Sequence, residues 1–178
     1  MIWTKPNCGP TCNMPSPVRL VTNTSPLLAL LAGCGSLELF HSLYDEVLVP
    51  HEVCAEIAVG GPQGFGVAEF NRAHWLSKWP TPVEPSPYLH NALDPGEAAV
   101  IQLALNEGVR VVCIDEPMGR RLARLSGLTV TGSIGVLLRA RKEGGLPSVR
   151  TALERMQAQG IWLSETVITF ALRESGAA

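Results

Sequence analysis

Long apolar runs are missing from this chain: no stretch reaches the roughly 18 residues that a membrane-spanning helix needs. Charge is sparse too, at 17% of 178 residues, and nearly balanced, with 14 Lys and Arg against 16 Asp and Glu for a net charge of −2. That balance excludes a globally basic nucleic-acid wrapper and leaves room for a nucleic-acid enzyme with a local basic rim. Aromatic residues supply only 6%, too few for base stacking to dominate a binding surface. The five cysteines, at 8, 12, 34, 54 and 113, form an odd and scattered set, which does not suit a disulfide framework. Cys34, Cys54 and Cys113 read as small buried hydrophobes, and Cys8 and Cys12 find no neighbouring Cys or His to complete a zinc set of four. No G-x-S-x-G and no phosphate-binding GxxxxGK[ST] loop occurs, and the Gly-rich stretch at 60–66 follows a helical pattern rather than a strand, so it is no dinucleotide fingerprint.

What is present describes a folded domain. Apolar residues make up 46% and mean hydropathy is +0.18, which points to a well-buried core. The length suits one domain, expected over 18–178. Residues 1–17, with four Pro and no apolar core, read as a flexible extension that is neither a signal peptide nor a membrane anchor, and a cytoplasmic location is expected.

The pattern alternates between strand and helix. Arg19–Thr22 reads as a strand running into the turn Asn23-Thr24-Ser25-Pro26, which opens an apolar helix to Ala32. Helices are expected at Ser36–Leu43, Pro50–Val59, Asp94–Glu107, Pro117–Leu125, Ser133–Glu143, Ser148–Gln159 and Glu165–Glu174, and strands at Glu46–Val49, Trp75–Trp79, Arg110–Ile114 and Leu128–Thr131, with a loop over Thr81–Pro87. Such alternation with short connections predicts an α/β fold, a parallel sheet covered by helices on both faces.

In that architecture ligands bind beyond the carboxyl ends of the strands, near the point where strand order reverses. Asn23 follows the first strand, Glu52 and Glu56 lie on the helix after the second, and Asp115 and Glu116 follow Arg110–Ile114, while Asp94-Pro95-Gly96-Glu97 opens the intervening helix. Oxygen ligands at one sheet edge suit Mg²⁺ or Mn²⁺. Each residue also has a plainer use. Asp94 and Glu97 resemble a capping box, Asp115 or Glu116 can cap the helix begun by Pro117, Glu56 can be a solvated helix residue, and Asn23 can be a turn residue. Arg120 and Arg124 share a helical face near Asp115, where they can clamp phosphate or form ion pairs.

Five motifs in order resemble a branch of the PIN-domain family that is similar to the VapC-type toxins: Val21-Thr22-Asn23-Thr24-Ser25-Pro26-Leu27; Val49-Pro50-x-x-Val53-x-x-Glu56; Leu93-Asp94-Pro95-Gly96-Glu97-Ala98; Ile114-Asp115-Glu116-x-x-Gly119-Arg120; and Val130-Thr131-Gly132-Ser133-Ile134-Gly135. The likeness covers about residues 19–172. It implies a three-layer α/β/α domain and a metal-dependent ribonuclease whose second, third and fourth acids are Glu56, Glu97 and Asp115, the first position, usually Asp, being Asn23. On that basis Glu56, Glu97 and Asp115 are expected to hold Mg²⁺ or Mn²⁺, with Asn23 contributing a carbonyl oxygen or placing a water. Ser25 and Arg120 are expected to contact the RNA, and Glu116 to support the ligands from behind. The resemblance also implies a homodimer and a small antitoxin protein as partner. The apolar residues Leu37, Leu39, Phe40 and Leu43 are a further reason to expect dimerisation. Two other classes stay open on sequence: a non-catalytic nucleic-acid- or partner-binding module, and a metal-dependent phosphohydrolase of small molecules.

Overall fold

Four short β-branched segments and one dipeptide build the sheet. In a computed structural model, which describes residues 17–61 and 63–176, they are β1 (Arg19–Thr22), β2 (Glu46–Val49), β3 (Ser77–Lys78), β4 (Val111–Cys113) and β5 (Thr129–Thr131). All pair in parallel, in the order β3-β2-β1-β4-β5. The central strands are buried on both faces, which is why they read as continuous apolar runs rather than as alternating ones. The extension expected at 1–17 lies, apart from Pro17, outside the described residues.

Ten helices are described: α1 (Thr24–Cys34), α2 (Glu38–Leu43), α3 (His51–Val59), α4 (Val67–Arg72), α5 (Pro87–Ala92), α6 (Pro95–Asn106), α7 (Pro117–Leu125), α8 (Ser133–Lys142), α9 (Val149–Ala158) and α10 (Glu165–Glu174). On one side α1 packs against α8 and α9, and on the other α6 packs against β1, β4, α5 and α7, while α3 reaches both α1 and α6. The result is the three-layer α/β/α arrangement, with Leu20, Val21, Leu48, Val100, Ile101 and Val112 fully buried at its centre. Gly35 ends α1 in the left-handed region (φ 75°), where its N–H reaches Leu31 O.

Three readings need correction. The strand expected over Trp75–Trp79 shrinks to Ser77–Lys78, an edge strand paired only with the end of β2. The short helices α4 and α5 were not anticipated, because six residues offer too little periodicity to recognise. Leu37, Leu39, Phe40 and Leu43 are not a spare surface: all four are buried in the core, where α2 lies against β2 and α8. The apolar area that argued for a dimer is consumed inside the monomer.

Candidate active site

The order β3-β2-β1-β4-β5 reverses direction between β1 and β4, and the chain leaves both strands there at their carboxyl ends. Asn23 sits directly on this point. Its backbone N–H donates to Cys113 O at 3.0 Å, which ties the end of β1 to the end of β4. Its side chain is only 4% exposed; Nδ2 lies 3.5 Å from Glu116 Oε2, and Oδ1 has no partner. At the first two residues of α1, Thr24 Oγ1 donates to Glu56 Oε2 and Ser25 Oγ donates to Glu116 Oε1. The start of α1 therefore holds two carboxylates, one from α3 and one from the turn before α7.

Glu97 comes from the first turn of α6. Asp94 Oδ1 accepts the Glu97 N–H at 2.8 Å, so the capping role expected of Asp94 is present. The Glu97 side chain is 5% exposed and its Oε1 has no partner. Two glycines make room for this crowding. A Cβ at Gly96 would collide with Glu56 Oε1, and a Cβ at Gly119 with Glu97 Oε1. Glu56 thus rests on the backbone of α6, and Glu97 on the backbone of α7.

Asp115 and Glu116 point to different places. They are consecutive residues of an extended segment, whose side chains leave on opposite sides. Glu116 turns to Asn23 and Ser25. Asp115 turns to the start of α8, where Oδ1 accepts the Ser133 N–H at 2.8 Å. Neither carboxylate caps α7, so that plainer use is not realised. Arg120 stands beside Asp115, and its Nη1 donates to Ile114 O at 2.7 Å and Thr131 O at 2.9 Å. Its guanidinium ties the ends of β4 and β5 together. A Cβ at Gly132 would lie 2.5 Å from Asp115 Oδ1 and 2.7 Å from Arg120 Nη1, so this corner is closely filled.

Electrostatics follow from the placement. Burial, then the charges of Asp94 and Glu116, hold the Glu97 carboxyl up at about 7. Burial also raises the Glu56 carboxyl, opposed by the Thr24 hydrogen bond and reinforced by Asp94, Glu116 and Glu52. Asp115 is raised by burial, against the lowering effect of Ser133. The structure thus brings Asn23, Ser25 and Glu116 together at the switch point, sets Glu56 against Thr24 and Gly96 and Glu97 against Gly119, and places Asp115 against the Ser133 N–H beside Arg120. Sequence reasoning did not single out Thr24, although its hydroxyl in the Asn23-Thr24-Ser25 turn was the available signal.

Do these residues fit a divalent cation? Among the described residues no three His, Cys, Asp or Glu side chains gather closely enough to hold a metal ion. Yet two buried oxygens, Asn23 Oδ1 and Glu97 Oε1, lack any partner, and a buried acceptor left unpaired is costly unless something fills it. Neutral and anionic oxygens surrounded by like-charged carboxylates are the donor chemistry of a hard cation. The donor set fits by chemistry, with the carboxylates spread rather than collapsed on one point.

No curated protein and no solved structure matches the chain. A family model described as a PIN domain matches residues 19–177, which takes in every strand and helix described above and each residue of the site. With a parallel three-layer sheet and an acid-lined switch point at its centre, the chain belongs to the PIN-domain family, a family of nuclease-type, nucleic-acid-binding modules.

Proposed function

We propose that this PIN domain is a metal-dependent endoribonuclease that hydrolyses RNA phosphodiester bonds, of the VapC-like branch, and the toxin of a type II toxin–antitoxin pair. The observation that carries the reading is the pair of unpartnered buried oxygens, Asn23 Oδ1 and Glu97 Oε1, at the switch point of an acid-lined sheet edge. Mg²⁺ or Mn²⁺ would be held by Glu56, Glu97 and Asp115, with the Asn23 carbonyl oxygen beside them and Glu116, which Asn23 and Ser25 contact, as a further oxygen donor. When bound, the cation supplies an activated water and neutralises charge that develops on the scissile phosphate. The chain's own groups set the stage: Ser25 and Asn23 orient Glu116, Thr24 orients Glu56, and Asp115 with Arg120 fixes the ends of β4 and β5. A small antitoxin protein and a second copy of the chain are the partners this reading expects. With the apolar residues of α2 buried, exposed apolar side chains that could support association include Trp162 (84% exposed), before α10, and Val167 and Phe170 on it.

The experiment is cleavage of a single-stranded RNA by the purified chain with Mn²⁺, repeated in EDTA. Cleavage that needs Mn²⁺ supports the nuclease. RNA that is bound but left intact under both conditions supports the second reading, a non-catalytic binding module. Two observations favour that alternative: Asn23 stands at a usually acidic position, and no three-ligand cluster is preformed among the described residues.

A further inference from the structure

The nine residues of α7 include three arginines and no acid. Arg120 is committed to the carbonyls of Ile114 and Thr131. Arg121 and Arg124 are exposed, and neither has a hydrogen bond or ion pair among the described residues. Arg139 is engaged with Glu143, Arg173 with Glu174, and Arg141 with the carbonyls of Leu146 and Pro147, while Arg155 on α9 is exposed and, like Arg121 and Arg124, without a hydrogen bond or ion pair among the described residues. Three residues apart on a helix, Arg121 and Arg124 are surface neighbours. The helix begins at the site itself, since its N-cap residue is Glu116. At about 1.5 Å per residue, Arg121 lies roughly 7.5 Å and Arg124 roughly 12 Å along the axis from Glu116, a span of a few nucleotides of single strand. Buried Leu122 and Ala123 fix the helix against α6 and β5, so the exposed face is presented rigidly.

We propose that the exposed face of α7 is the track for single-stranded RNA entering or leaving the acidic site, with Arg121 and Arg124 each contacting a backbone phosphate. This rests on the nuclease reading for the identity of the site. Charge complementarity selects the occupant: two unpaired guanidiniums in line, continuous with a site of nucleic-acid-binding type, match the repeat of a phosphate chain. The assignment moves the phosphate contact from Arg120, whose donors are already used, to its neighbours on the outer face.

The test measures binding of a fluorescent single-stranded RNA of about 20 nucleotides by anisotropy, in EDTA so that the strand stays intact, over a range of salt. The natural chain is compared with the double variant R121Q/R124Q and with R155Q, an exposed arginine on α9 against the opposite layer. The double variant is expected to lose affinity on the order of twentyfold at 0.1 M salt, and to flatten the slope of log K against log salt by about 1.4, at about 0.7 per phosphate contact on a single strand. R155Q is expected to leave both unchanged. Equal affinity and slope in the double variant, an equal loss in R155Q, or no binding by the natural chain each overturns the track; an acidic protein segment as the true occupant gives the first of these results. Mn²⁺-dependent cleavage by the natural chain is scored separately, so the nuclease reading stands or falls on its own.

Discussion

Glu97 is where burial and function conflict most openly. Its carboxyl is raised from an ordinary 4.5 to about 7 by burial and by Asp94 and Glu116. A carboxyl raised in the folded state contributes stability that is complete below its unfolded value and lost as pH rises through its folded value. In EDTA the natural chain therefore loses stability from this group between about pH 4.5 and pH 7. Glu97→Gln removes the charge and abolishes that loss. The variant is expected to melt close to the natural chain at pH 5 and several degrees above it at pH 8, a gain of about 1–2 kcal/mol, with RNA cleavage abolished. Thermal melts at the two pH values check it, and an equal difference at both would show that the charge is not the cause. Asn23→Asp runs the other way. A further negative charge in a position 4% exposed, beside Glu116, costs stability in EDTA, while a carboxylate in place of an amide dipole attracts a divalent ion more strongly. The expected pair of outcomes is a lower Tm without metal and tighter Mn²⁺ binding with it, read by melting and by Mn²⁺ titration. Unchanged Mn²⁺ affinity would place Asn23 outside the metal site.

The extended turn between β4 and α7 sends its two acids to different partners. Glu116→Gln weakens the one carboxylate that Ser25 and Asn23 hold at the switch point, and Mn²⁺ affinity is expected to fall about tenfold or more, with little change in Tm. Asp115→Asn keeps an acceptor for the Ser133 N–H but lowers its charge, for an expected loss of about 1 kcal/mol in stability and a smaller loss of affinity. A larger affinity loss in Asp115→Asn would make Asp115 the stronger ligand of the two. This turn also marks the limit of what could be read beforehand. Strands β1, β2 and β4 were legible because β-branched runs bounded by turn residues have few other uses, and α6 because Asp94, Pro95 and Gly96 spell a helix start. That Asn23 follows a strand, and that Glu56 and Glu97 lie on the helices at that sheet edge, was legible from strand–helix alternation, while their choice as site residues came from the resemblance to the PIN-domain branch. Which partners the two adjacent acids Asp115 and Glu116 take was not legible, since it depends on the phase of an extended segment relative to α1 and α8. Nor was the commitment of Arg120, because its acceptors are backbone carbonyls with no sequence signature.

At the scale of the molecule, the acidic edge joins α1, α3, α6 and the β4–α7 turn, so anything that binds there ties four parts of the chain together. Without a cation those parts meet through crowded carboxylates and two unsatisfied oxygens, which opposes folding. A ligand that binds only the folded state stabilises it by RT ln(1 + [L]/Kd), about 2.7 kcal/mol at a hundredfold excess over Kd. Mn²⁺ is therefore expected to raise the Tm of the whole domain, by about 5–10 °C for a chain of this size. The rise carries a pH signature. Below about pH 7 the ion must displace a proton from Glu97, and above it the carboxylate is already free, so apparent affinity climbs with pH. Melts at one fixed Mn²⁺ concentration are expected to give a larger shift at pH 8 than at pH 6, while Glu97→Gln gives a small and pH-independent one. A shift equal at both pH values in the natural chain would mean that the ion binds away from Glu97, and the coupling of metal to fold would have to run through another part of the sheet edge.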